Sequence, residues 1–230
     1  MPEAPATSGE RLLPQGVIRW WRNGAVRAPA LYLCAHGAGA PSSSVFMQAV
    51  STGLVQRGIT VVRFDFPYMT RATRGRRALP DSADVLLESC QAMLDIVRSG
   101  DATDGIAPAR LVVGGKSMGG RMWSMLLASQ APPAIAAALY LGYPLHPPGK
   151  PARLRSAHLQ SILVPQLFIS GSRDSLARLE LLRAAVDTIP RARLHVVEGG
   201  DHSLALGKKR PLDGSDTWLD VAAGFIRDPG

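Results

Sequence analysis

A buried-strand pattern that runs straight into a helical one, with glycines on both sides of the junction, leaves a chain few folds to choose from. Residues 111–129 read LVVGGKSMGGRMWSMLLAS. An apolar run suited to a strand covered on both faces gives way to apolar residues at helical spacing. At the join stands Gly115-Lys116-Ser117-Met118-Gly119, the pattern G-x-S-x-G. A serine on so sharp a turn must take strained backbone angles, and a Cβ two residues to either side would collide with neighbouring backbone. The turn is expected to lift the Ser117 hydroxyl clear of the sheet and set it at the positive end of the next helix. There the Met118 amide can face a developing oxyanion. A phosphate-cradling loop ending in Gly115-Lys116-Ser117 is excluded, because it needs a glycine where Arg110 stands.

The rest of the chain repeats the same alternation. Strand-like runs fall near 16–21, 30–35, 59–64, 110–114, 135–141, 165–170 and 193–198, and most are almost continuously apolar. Helical spacing appears in Phe46, Val50 and Leu54, in Leu86, Cys90, Met93 and Val97, in Leu179, Leu182, Val186 and Ile189, and in Trp218, Val221 and Phe225. Ser42, Asp81, Ser175 and Ser215 are expected to cap these helices. The pattern predicts an α/β fold with a mainly parallel twisted sheet and helices on both faces. One domain is expected over 13–230, preceded by a loose tail over 1–12. With 46% hydrophobic and 19% charged residues, the chain can form an ordinary core, and its 23 glycines and 18 prolines fall to turns. No apolar run approaches the ~20 residues that span a bilayer, and the opening MPEAPATSGERLLP lacks the apolar segment of a secretory signal. The expectation is a soluble, cytoplasmic protein without membrane association. Cys34 and Cys90 read as buried free thiols.

A serine hydroxyl needs a base at neutral pH, and the base needs a carboxylate to hold its tautomer. His202 follows the last strand-like run in VVEGGDHSL, whereas His195 lies inside that run, His146 and His158 fall in and after a proline-rich connector, and His36 belongs to an earlier loop. Asp174, in FISGSRDSLA, comes directly after the penultimate strand. Asp187 is mid-helix, Asp201 adjoins the histidine too closely to reach round its ring, and Glu198 is still in the strand. The order Ser117, Asp174, His202 is that of nucleophile, acid and base in α/β-hydrolases.

A second oxyanion donor is expected from LYLCAHGAGAPSSS, where Gly37 and Gly39 turn the chain, Ala38 offers an amide and His36 braces the loop. A dinucleotide fingerprint is excluded here, because Ser42 takes the third glycine position and Asp65 lies 28 residues beyond Gly37 rather than about 20. Tyr68 and Tyr143, with Met69, Leu145 and Trp123, could wall a substrate site. No large cap fits in the connector between Leu141 and the next strand. The net charge of +8 concentrates in RATRGRR (Arg71 to Arg77) and in Lys208, Lys209 and Arg210. The first stretch leaves the sheet edge that carries Ser117, so it reads either as a solvated basic loop or as a field for an anionic substrate or acidic surface. Aromatics are not interleaved with these bases, so nucleic-acid binding is not expected. No metal-ligand spacing occurs, and neither a metal nor a cofactor is expected.

His36-Gly37-Ala38-Gly39, Arg63 to Tyr68 (RFDFPY), Gly114 to Gly120 (GGKSMGG), Gly142 to Pro151 (GYPLHPPGKP), Gly171 to Asp174 and Asp201-His202 together resemble the small α/β-hydrolases related to dienelactone hydrolase. Within them the chain is most similar to a bacterial branch akin to a testis-expressed eukaryotic hydrolase-like protein, over roughly residues 28 to 228. The resemblance implies an eight-stranded type of core, a serine hydrolase triad and an oxyanion hole. It departs at the nucleophile, where dienelactone hydrolases carry cysteine and this chain carries Ser117, so it does not bring dienelactone across as substrate. The reading that follows is an enzyme cleaving a carboxylic ester or thioester of a small molecule. A hydrolase-fold binding protein with little turnover is the alternative.

Overall fold

The computed structural model describes residues 7–72, 79–130, 132, 134–207, 212 and 214–230. The elements run β1 (Thr7–Leu13), β2 (Gly16–Asn23), β3 (Leu31–Ala35), α1 (Val45–Gln56), β4 (Thr60–Asp65), α2 (Pro67–Thr70), α3 (Ala83–Ser99), β5 (Leu111–Lys116), α4 (Met118–Gln130), β6 (Ala137–Leu141), β7 (Gln166–Gly171), α5 (Leu179–Asp187), β8 (Ala192–Val197) and α6 (Trp218–Arg227). A short 3-10 turn at Ala157–Ser161 lies in the connector between β6 and β7, and no large cap interrupts it. The eight strands form one sheet in the order β1-β2-β4-β3-β5-β6-β7-β8. The first two are antiparallel additions, and β3 to β8 pair in parallel.

Strands that are apolar at every position make sense because the sheet is covered on both sides. The pleat sends Leu31, Leu33 and Ala35 of β3 into one apolar layer with α3, α4 and α5, while Tyr32 and Cys34 enter the other with α1 and α6. Neighbouring strands obey the same rule: Val113 and Tyr140 face the first layer, Val112 and Leu139 the second. Cys34 and Cys90 are buried free thiols, and burial pushes the Cys34 pKa up to about 12. No helix among the described residues is long and apolar enough to cross a membrane.

The fold departs from expectation at its edges. Residues 7–12, expected in a loose tail, pair with β2 from Thr7↔Arg22 to Leu13↔Gly16. As an edge strand, β1 is largely exposed, so it needs no apolar run to form. The helices begin one to three residues later than expected, after Ser44, Ser82, Arg178 and Thr217, and none of these four makes a side-chain cap bond. Two of the expected caps have other partners. The Ser42 amide donates to Asp65 Oδ1 at 2.7 Å, and the Asp81 carboxylate pairs with Arg71.

Two features of the β5–α4 junction hold the turn tight. A Cβ on Gly115 (φ +153) would lie 2.2 Å from the Ala35 oxygen, and one on Gly119 would lie 2.6 Å from both the Ala35 and His36 oxygens. Helix α4 can therefore start directly against the end of β3. In the loop after β3 the expectation is not met: a Cβ on Gly39 would touch nothing within 4 Å, and neither Gly37 nor Gly39 has positive φ.

Leu33→Ala, fully buried in β3, should cost about 2–5 kcal/mol in urea unfolding. Leu12→Ala, at 78% exposure on β1, should stay within about 0.5 kcal/mol of the parent. Gly119→Ala should cost about 1–3 kcal/mol, because the overlap is with backbone that no rotamer relieves. Gly39→Ala should be close to neutral, and equal losses at the two glycines would contradict this account of the junction.

Candidate active site

Ser117 sits between β5 and α4 with φ of 50°, in the left-handed region that a side chain enters only under constraint. Its backbone is held from both sides: the amide donates to Leu141 O at 3.0 Å and the carbonyl accepts from Arg121 N at 3.0 Å. Asp174 follows β7, its backbone amide bonded to Gly171 O at 3.1 Å and its Oδ1 accepting from the Leu176 amide at 2.8 Å. The carboxylate is fully removed from solvent. His202 follows β8 in a loop closed by Asp201, whose Oδ1 accepts from the amides of Ser203 at 2.7 Å and Ala205 at 3.1 Å. Asp201 thus builds the histidine's loop rather than bonding its ring.

All three side chains arrive at the carboxyl ends of parallel strands, the edge where open α/β sheets gather their ligands. His202 Nδ1 lies 2.9 Å from both Asp174 oxygens, and His202 Nε2 lies 2.9 Å from Ser117 Oγ. An ionised carboxylate only accepts, so Nδ1 carries the ring proton, and Nε2 is left to accept from the Ser117 hydroxyl. The imidazole is 25% exposed, sheltered by protein yet open to a cleft. That cleft holds about 500 Å³ and is walled on its apolar side by Ala38, Val45, Phe46, Met47 and Leu176.

The loop after β3 brings Ala38 to the cleft beside Ser117. His36 braces it from beneath. The Phe66 amide donates to His36 Nε2 at 3.1 Å, so Nδ1 holds the proton and donates to Gly37 O at 2.7 Å. Burial lowers the His36 pKa and keeps the ring neutral. Tyr68 donates its hydroxyl to Ala38 O at 3.1 Å, so it supports this loop instead of lining the cleft. Tyr143, expected as a second wall, is 1% exposed and packs on Tyr140 and Phe168, with its hydroxyl donating to Arg155 O. Leu145 and Trp123 are likewise core residues. Aromatic or apolar character marked these side chains, but α2, α4 and the loop after β6 pack them into the apolar core. The walls that sequence reasoning missed, Phe46 and Leu176, carried only the signal of helix and turn residues.

Lys116 is buried, and its Nζ donates to the His202 carbonyl oxygen at 2.6 Å. Arg71 bonds Asp81 and the Gln15 carbonyl, while Arg74, Arg76, Arg77, Lys208, Lys209 and Arg210 lie outside the described residues. Among the described residues no group of three or more His, Cys, Asp or Glu could hold a metal ion.

Comparison with known proteins agrees with this architecture. The fold matches a dienelactone hydrolase from Anabaena variabilis (TM-score 0.73, 17% identity, 96% of this chain and 97% of that one). It also matches the esterase domain of a Rhodothermus marinus protein (0.71, 15%, 99% and 100%). A third match is the thioesterase domain from the curacin biosynthetic pathway (0.69, 16%, 97% and 99%). At these identities the likeness is one of fold. The sequence itself matches a family described as an alpha/beta hydrolase domain over residues 28–227. A match over most of the chain, on a sheet of this order with these turns, makes the chain a member of the alpha/beta hydrolase domain family.

Proposed function

We propose that the chain is a serine hydrolase that cleaves a carboxylic ester or thioester through an acyl-enzyme. The observation that carries this reading is the unbroken hydrogen-bonded series Ser117, His202, Asp174, with 2.9 Å at each step, opening onto an apolar cleft. As the substrate carbonyl enters, Ser117 Oγ attacks its carbon and gives its proton to His202 Nε2. Asp174 holds the Nδ1 proton and stabilises the imidazolium without taking that proton. The amides of Ala38 and Met118 hold the oxyanion, the second helped by its place at the start of α4. Collapse expels the alcohol or thiol, which takes its proton from His202. Water, with His202 as base, then attacks the acyl-serine and releases the acid.

The cleft favours a small substrate with an apolar acyl group against Phe46, Val45 and Leu176. The esterase domain and the thioesterase domain among the structural matches fit both leaving groups. An alcohol nucleophile needs a base at neutral pH, and His202 Nε2 stands 2.9 Å from the Ser117 hydroxyl oxygen.

With short p-nitrophenyl esters, Ser117→Ala should lose turnover by roughly three orders of magnitude or more, and Asp174→Asn should approach the same loss while leaving folding intact. Turnover retained in Ser117→Ala would contradict the assignment.

A further inference from the structure

Lys116 is the residue whose position the hydroxyl-imidazole-carboxylate series does not explain. It ends β5 directly before Ser117, is 8% exposed, and carries its ammonium into a largely apolar wall of the cleft. Nζ bonds the His202 carbonyl at 2.6 Å and stands 5.5 Å from the centroid of the Phe46 ring. No ion pair among the described residues includes it. Space for this contact is left by Gly142 (φ +59): a Cβ there would lie 2.6 Å from the His202 oxygen, 3.0 Å from Lys116 Nζ and 3.5 Å from His202 Nδ1. Ammonium and imidazole loop thus meet at one point.

A methionine would fill this place without desolvating a charge. The chain has 22 arginines and only four lysines, yet a lysine stands here. Lysine is the basic side chain that burial can discharge, whereas arginine stays charged. Burial draws the Lys116 pKa down to about 8, against the opposing pull of Asp174 and Asp201.

Resting on the serine-hydrolase reading, we propose that Lys116 is a positioning residue that clamps the His202 carbonyl and so sets the imidazole at proton-transfer distance from Ser117. The groups facing it are Asp174 from the loop after β7, Asp201 and His202 from the loop after β8, and the Phe46 ring from α1. A charged donor makes the stronger hydrogen bond. The clamp is therefore at full strength below pH about 8 and weakens as the ammonium loses its proton above it. Because the clamp acts through His202, it governs kcat more than KM.

The test measures kcat and KM for a p-nitrophenyl ester over roughly pH 6 to 10 in the parent, Lys116→Met and Lys116→Arg, with thermal unfolding as the check on folding. Lys116→Met should lower kcat by about tenfold or more at neutral pH, keep KM within about twofold, and lack the basic limb that the parent shows near pH 8. Lys116→Arg should recover part of kcat and move that limb upward. A Lys116→Met protein with parental kcat and an intact basic limb would overturn the proposal, as would a loss confined to KM. If Lys116→Met does not fold, an unmoved basic limb in Lys116→Arg overturns it equally. Parental turnover that survives Ser117→Ala would sink the hydrolase reading and the clamp together. Ser117-dependent turnover indifferent to Lys116 would sink the clamp alone.

Discussion

An imidazole accepts a proton from an alcohol far more readily when its far nitrogen is held by a group that stabilises the charge. In this protein that group is Asp174, whose oxygens both stand 2.9 Å from His202 Nδ1 and whose carboxylate has no contact with solvent. A buried carboxylate is costly unless its lone pairs are taken up. The Leu176 amide and the His202 ring take them up, so the aspartate that orients the imidazole also fixes the turn after β7. Remove the histidine and the carboxylate loses its main partner. Remove the carboxylate and the ring loses both its tautomer and its orientation.

Everything that brings these groups together is a property of the sheet edge. Parallel strands β5, β7 and β8 end at one rim, with β6 between the first two, and small residues let the connecting loops approach one another closely. Gly171 shows how close: a Cβ there would fall 2.2 Å from the Gly200 oxygen. The strained Ser117 backbone is held by hydrogen bonds to β6 and to α4, so its local cost is borne by the surrounding core. The braced loop after β3, with neutral His36 under it and Tyr68 beside it, supplies the remaining wall.

Much of this was legible in the sequence because it rests on features that do not need three dimensions to be seen. All seven expected strands are present, since a run such as LYLCA is apolar at every position and suits only a sheet covered on both faces. The elbow declared itself through Gly115 and Gly119, whose neighbours leave no room for a Cβ. What escaped was decided by tertiary contact. β1 is polar and exists because β2 offers it an edge. Tyr68 and Tyr143 are aromatic near the right loops, but which way a ring points depends on packing, and both point inward. The direction of Lys116 was equally hidden, because a residue beside a sharp turn can face solvent or cleft with the same sequence around it.

In the proposed mechanism Ser117 is activated by a base that Asp174 holds in place. Exposure of the folded protein to a fluorophosphonate, followed by peptide mapping by mass spectrometry, tests it most directly. A single adduct on Ser117 is expected, formed rapidly in the parent protein and lost, or slowed by orders of magnitude, in His202→Gln. A folded protein whose Ser117 stays unmodified, or which is labelled equally well without His202, would contradict it.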